Sequence, residues 1–192
     1  MKIILASTSP RRAELLRQIA VSFQQLPVDI DEALKSGETP VEHVVRLARE
    51  KAQAGAELAQ QQNIHLPVLA ADTIIELDAE VMGKPLNDEH ARAMLQKLSG
   101  KTHHVHTAIC LICGEMQTSA LSSSRVEFAQ LDPARIEHYV ASGEPLDKAG
   151  GYAIQGAAAQ FIKALHGSYS GVMGLPLYET AELLKSCEAR RS

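Results

Sequence analysis

The chain has 192 residues, with 19 Lys and Arg against 23 Asp and Glu, so no basic surface dominates and general nucleic-acid binding is not expected. That length suffices for one domain, 1–192, that buries a real core and needs neither metal nor disulfide to fold. No apolar run approaches the ~18 residues of a membrane span, and the N-terminal apolar run is too short for a signal-peptide core, so a cytoplasmic protein is expected.

Ile3-Ile4-Leu5 reads as a strand that passes through small hydroxyl residues into Ser9-Pro10 and the helix-like Arg11-Arg12-Ala13-Glu14-Leu15-Leu16. Ser9 suits an N-cap and Pro10 a first helical turn, so the positive helix end and two arginines should share one loop. Such a place binds phosphate. Phe23 to Val28 reads as a second strand, running into the acidic turn Asp29-Ile30-Asp31-Glu32.

Thr39-Pro40-Val41-Glu42 is a capping box, and apolar residues at helical spacing then continue towards Gln61. This helix carries Arg46, Arg49, Glu50 and Lys51, each of which, taken singly, belongs on a solvated face. Pro67 to Leu77 is the most buried-looking strand, β-branched and apolar around the one interruption at Asp72. An aspartate there calls for a partner, a metal or a cleft. Gly83-Lys84-Pro85 makes a compact loop, and a helix from Asp88 to Leu98 stops at Ser99-Gly100.

Strands over Thr102 to Cys113 and Thr118 to Leu131 suggest a hairpin around Gly114. His103 and His104, adjacent on a strand, point to opposite faces, which argues against zinc at His103, His104 and His106. Cys110 and Cys113 likewise face opposite sides and read as reduced core thiols. A helix from Asp132 to Ala141 leads into the Gly-rich stretch Ser142 to Gly156, usual where backbone approaches a ligand. Turns at Gly167 to Gly171 and Gly174-Leu175-Pro176 precede a last helix to about Lys185. The mixture of short parallel-type and long hairpin-type strands with helices predicts an α/β or α+β fold with a mixed sheet.

Cations (Arg11, Arg12, Lys51, Lys84, Lys148) and carboxylates (Asp31, Glu32, Glu50, Asp72, Glu144, Asp147) thus gather at loops and strand ends. Cations that hold phosphates beside carboxylates that hold Mg²⁺ or Mn²⁺ and activate water suit a polyphosphate substrate. No G-x-x-x-x-G-K-[ST], G-x-G-x-x-G or G-x-S-x-G is present.

In order along the chain stand Ser7-x-Ser9-Pro10-Arg11-Arg12, Arg49-Glu50-Lys51-Ala52, Ala71-Asp72-Thr73, Gly83-Lys84-Pro85 and Ser99-Gly100-x-x-His103. Asp147-Lys148-Ala149-Gly150 with Ile154-Gln155-Gly156, and Gly174-Leu175-Pro176, complete the series. The series resembles the motifs of the Maf family of nucleoside triphosphate pyrophosphatases over essentially the whole chain. The resemblance implies an elongated mixed α/β fold, two lobes with a central cleft, related to inosine triphosphate pyrophosphatases. It further implies a homodimer and hydrolysis of a nucleoside triphosphate to monophosphate and pyrophosphate.

Arg11, Thr73 and Gln155 match the dTTP and UTP type of that family, whereas the 7-methyl-GTP type carries Trp and Gln at the first two positions. Ala153 departs from the glycine usual in the family. Gln155 offers a donor and an acceptor to the edge of uracil or thymine. Asp72 is expected to be the general base towards water. Ser7, Ser9, Arg11, Arg12, Lys51 and Lys84 are expected phosphate contacts, and Glu32 and Glu50, with Asp72, the metal or supporting carboxylates. A nucleotide-binding regulator of septum formation is the alternative reading.

Overall fold

The computed structural model describes residues 1–191. The strand-loop-helix start forms as its residues dictate: β1 spans Lys2–Leu5 and α1 spans Pro10–Gln18, with the Ser9 side chain accepting the backbone N–H of Arg12. β2, Ser22–Gln25, is shorter than its apolar alternation suggests. The Leu26 N–H still donates to Leu5 O, and Pro27 then has no N–H with which to extend the ladder.

α2, Pro40–Gln61, opens with the expected capping box, Thr39 and Glu42 exchanging side-chain and backbone bonds. β3, Val68–Leu77, turns through Asp78-Ala79 into the short β4, Glu80–Met82, and α3 follows over Asp88–Leu98. The hairpin is β5, Thr102–Cys113, with β6, Met116–Phe128, and α4 spans Pro133–Ala141. The Gly-rich stretch resolves into 3₁₀ turns at Glu144–Asp147, Ala149–Gly151 and Ala157–Phe161.

Three differences from the sequence reading lie towards the C-terminus. β7, Ile162–His166, is an edge strand with one β-branched residue, too weak a pattern to stand out. α5, Tyr169–Met173, is a five-residue helix within what reads as turns. α6 runs over Leu177–Arg191, past the expected end at Lys185.

Among the described residues seven strands form one mixed sheet in the order β2-β1-β3-β5-β6-β7, with β4 pairing β3 off that path. β1 is parallel to β2 and β3, and the other pairs are antiparallel. The period of two along each strand sorts side chains between the faces. Ile4, Ala6, Val68, Ala70, Ile74, Ala108 and Cys110 pack with α2 on one face. Ile3, Leu5, Leu69, Ala71, Ile109 and Leu111 pack with α1 and α6 on the other.

Further along this second face, Ile75, Leu77, Val105, Val126 and Phe128 pack with α3 and α4 as another cluster. Between these two clusters the sheet presents the polar pair Thr73 and Thr107, which are direct cross-strand partners. The face therefore has a polar seam where one core ends and the next begins.

The contact of α2 with the sheet is close because Gly55 lacks a side chain. A Cβ built there would lie 2.8 Å from Ala6 Cβ and 2.9 Å from Val68 Cγ1. Gly55→Val should therefore destabilise the fold by about 2 to 3 kcal/mol through overpacking. Urea unfolding should show a lower midpoint with an unchanged slope.

Candidate functional site

The polar seam opens into a cleft of about 530 Å³. Its walls come from the β1–α1 loop, the first turn of α1, α2, the middle of β3, the β4 exit loop, the Gly-rich segment and α5. Asp72 and Thr73 both line it although they are neighbours on a strand. Alternation sends Asp72 to the α2 face and Thr73 to the α1 face, so this dipeptide serves the cleft from both sides of the sheet.

Asp72 is 7% exposed, and its Oδ1 accepts from Lys51 Nζ at 2.6 Å. Lys51, on the face of α2 turned to the sheet, also reaches Glu32 Oε1 at 2.6 Å. One ammonium thus joins a buried carboxylate to a more exposed one. Partial burial pushes the Glu32 carboxyl up, but the bond and charge of Lys51, with Lys84 and Arg12, together hold it below its usual range.

On the other side Arg12 is committed to the protein as much as to the cleft. Its Nε donates to Gly174 O at 2.9 Å, Nη1 to Ser7 Oγ at 3.3 Å and Nη2 to Thr73 Oγ1 at 3.3 Å. Burial pulls this guanidinium below its ordinary value, Asp72 opposing the shift and Arg11 adding to it. Thr107 Oγ1 lies 2.9 Å from Thr73 Oγ1 and 2.7 Å from Gly171 O. A carbonyl only accepts and a hydroxyl has one hydrogen, so Thr107 donates to Gly171 and Thr73 to Thr107. The chain from Arg12 through Thr73 and Thr107 to Gly171 therefore runs in one direction. It commits the Thr73 hydrogen to Thr107 and one of its two lone pairs to Arg12.

Ser9 caps α1 and also donates its N–H to Ser7 Oγ at 3.1 Å, so both serines shape the loop at the positive helix end. Arg11 Nη1 sits 3.7 Å from Asp147 Oδ2 and links this loop to the Gly-rich segment. Partial burial works against ionisation of Asp147, but Lys148 and Arg11 hold its carboxyl below the usual range. Lys84 stands exposed on the β4 exit loop, and Gln155 is exposed on the Gly-rich part of the cleft lining.

The cleft thus gathers Ser7, Ser9, Arg11, Arg12, Glu32, Lys51, Asp72, Thr73, Lys84 and Gln155. Glu50 is not with them. It pairs with Lys35 at 3.2 Å and Arg46 at 2.9 Å, because one residue along a helix from Lys51 is a turn of about 100° away from the cleft. The sequence reading also missed His43 and Leu47, which lie about two turns and one turn before Lys51 on the same face and line the cleft. That spacing from Lys51 was the available signal. Thr107 carried none, being one of several polar residues in the first half of β5.

A second correction concerns the cysteines. Cys110 is free and buried, but Cys113 is joined to Cys187, which ties the end of β5 to α6 across 74 residues of sequence. Facing directions on one strand excluded a Cys110–Cys113 partnership but had no bearing on a helix that packs back from the far end of the chain. His103 and His104 do point to opposite faces: His103 is buried and His104 exposed.

His103 secures the Gly-rich segment. Its Nε2 lies 2.7 Å from the buried Tyr152 hydroxyl, and its ring packs edge-on against both Phe128 and Tyr152.

A family model described as "Maf-like protein" matches residues 2–187. Relatives named dTTP/UTP pyrophosphatase include one from Aromatoleum aromaticum, 50% identical over 96% of this chain and 95% of its own. Others come from Alkalilimnicola ehrlichii, 51% identical over 97% and 93%, and Shigella sonnei, 50% identical over 98% and 94%. Among solved structures, the Staphylococcus aureus Ham1 protein aligns with 84% of this chain and 91% of its own at 16% identity, with a TM-score of 0.45.

Burial, with His104 adding to it, lowers the His103 imidazole from 6.5 to about 4. The folded ring stays neutral where the unfolded one takes up a proton, so this stability is complete above pH ~6.5 and is lost as pH falls towards 4. The loss should be of the order of 3 kcal/mol. Urea unfolding between pH 7 and about 4.5 should show it, and His103→Gln, which keeps a partner for Tyr152 without a titrating ring, should flatten that slope.

Proposed function

This chain belongs to the Maf family, and we propose that it hydrolyses dTTP and UTP to the nucleoside monophosphate and pyrophosphate. The observation that carries the reading is Asp72, a buried carboxylate facing a cleft whose other charged groups are largely cationic. In this reading the triphosphate lies along Arg11, Arg12, Lys51 and Lys84, with the positive end of α1 contributing to its α1-side wall.

A water oxygen attacks the α-phosphorus, its proton passes to the Asp72 carboxylate, and the bond from the α-phosphorus to the bridging oxygen breaks. Pyrophosphate leaves. Lysine and arginine hydrogen bonds offset the charge that develops on the phosphoryl oxygens. Phosphate oxygens compete with Asp72 for Lys51, which frees a carboxylate oxygen to receive the proton.

A divalent cation suits the donor set. Asp72 and Glu32 converge on one point, the Lys51 ammonium, and two hard oxygen donors plus substrate phosphates match the habits of Mg²⁺ or Mn²⁺. Among the described residues no group of three His, Cys, Asp or Glu side chains could hold a metal ion, so substrate would have to complete the coordination. When bound there, the cation supplies polarisation of water and phosphate.

Gln155, on the Gly-rich part of the cleft lining, reads the pyrimidine edge. Action in the cytoplasm as a homodimer completes the proposal. No helix among the described residues is long and apolar enough to cross a membrane. In a reducing cytoplasm Cys113 and Cys187 would persist as adjacent thiols.

Asp72→Asn keeps the shape and removes the basicity. Turnover on dTTP should fall by roughly two orders of magnitude or more while the urea midpoint shows a folded protein. Near-normal turnover would sink the assignment. Absence of pyrophosphate release from dTTP, UTP, 5-methyl-UTP, 7-methyl-GTP and ITP, with and without Mn²⁺, would favour the septum-regulating sensor instead.

A further inference from the structure

Hydrogen bonding alone does not let Gln155 choose a pyrimidine. Uracil and thymine offer O4 as acceptor beside N3–H as donor, and hypoxanthine offers O6 beside N1–H in the same relation. A carboxamide pairs with either edge equally well. The two differ in distance, since the purine edge stands one fused ring further from the sugar. With the phosphates held by the cationic side chains, selection depends on where the main chain places the amide.

That main chain is held on both sides of Gln155 by one pair of residues. The Tyr139 hydroxyl, buried on α4, accepts the Ala153 N–H at 3.3 Å and donates to Glu144 Oε1 at 2.7 Å. Glu144 Oε2 accepts the Ala157 N–H at 3.1 Å. The loop is therefore anchored two residues before Gln155 and two residues after it. Between them, a Cβ added at Gly156 would collide with the Glu144 carboxylate, so the carboxylate lies directly against the loop.

The anchor is itself rigid. Tyr139 is 2% exposed and its ring packs edge-on against Phe161 at 5.2 Å between centroids. Glu144 is held by its own N–H to Ser142 Oγ and by Lys148 Nζ on its carbonyl. By contrast, Tyr152, Ala153 and Ile154 are buried while Gln155 is exposed on the cleft wall.

We propose that Tyr139 and Glu144 are positioning residues that fix the reach of Gln155, and that this reach makes the site prefer a pyrimidine over a purine with the same hydrogen-bonding edge. The proposal rests on the reading of Gln155 as the base-reading residue. Neither Tyr139 nor Glu144 needs to touch the nucleotide.

The test compares kcat/KM for UTP and ITP, which share sugar, triphosphate and edge pattern. Tyr139→Phe removes both bonds of the hydroxyl. Glu144→Gln is the milder variant: it keeps the shape of the side chain but turns one of its two accepting oxygens into an NH2, which cannot accept from Tyr139 or Ala157. Each should lower the UTP-to-ITP ratio by roughly five-fold, the span of a lost hydrogen bond, mainly through a higher KM for UTP with kcat little changed. Thermal unfolding checks that each variant is folded.

Gln155→Ala should lower the ratio as well, and adding Tyr139→Phe to it should change the ratio no further, because positioning acts only through the amide. A ratio unaffected by Tyr139→Phe and Glu144→Gln but collapsed by Gln155→Ala would overturn the clamp and leave the reading of Gln155 standing. An equal fall with and without Gln155 would overturn it too, marking Tyr139 as merely structural. A ratio unaffected by Gln155→Ala would remove the reading of Gln155, and the clamp with it.

Discussion

The structure depends on one ion pair, Lys51 with Asp72, both nearly out of water. An ionised carboxylate inside a sheet is costly unless a partner repays its desolvation, and removing one partner of such a pair leaves the other charge stranded. The rotation of α2 set by its apolar face and by the close approach at Gly55 is the one that brings Lys51 over Asp72. It also places the most reactive-looking carboxylate under the control of a cation that anionic substrate would attract. In the proposed reaction, pairing with Asp72 in the empty protein and binding of phosphate draw on the same ammonium.

The position of the cleft follows from packing. On one face of the sheet, the cluster around α1 and α6 and the cluster around α3 and α4 are separate, and the strand residues between them are Thr73 and Thr107 rather than apolar ones. A hydroxyl pair cannot be sealed into an apolar core without partners. Arg12 and the Gly171 carbonyl supply them and at the same time close the floor of the cleft. On the opposite face the apolar cluster under α2 is interrupted at Asp72, where Lys51 meets it, so the cleft reaches that face too.

Much of this was legible in the sequence where local rules decide. Ser9-Pro10 and the Thr39–Glu42 capping box mark helix starts by their own hydrogen bonds, and Asp72 betrays itself by interrupting an apolar strand. What was not legible depends on contacts between distant segments. β7 is made a strand by pairing with β6 more than by its own residues, and the partner of Cys113 lies on a helix 74 residues away. Glu50 shows the other limit: adjacency in the Arg49-Glu50-Lys51-Ala52 motif put it with Lys51, whereas helical rotation turned it towards Arg46. The clamp on Gln155 was illegible for the same reason, because neither Tyr139 nor Glu144 belongs to a recognisable spacing with the loop they hold.

The Gly-rich segment explains why such clamps are needed. Gly143, Gly150 and Gly151 have φ of 73°, 65° and 72°, values that only glycine adopts without strain and that break any long helix or strand. A segment without regular structure must find other partners for its buried N–H groups. Here a side chain provides one, Tyr139 for the buried Ala153, while Glu144 holds the exposed Ala157 and the His103–Tyr152 bond ties down the same stretch. The bonds that satisfy the backbone are thus the bonds that aim Gln155. Irregular backbone lets an amide project into the cleft, and the price is that its aim depends on a few individual side chains rather than on a ladder of equivalent bonds.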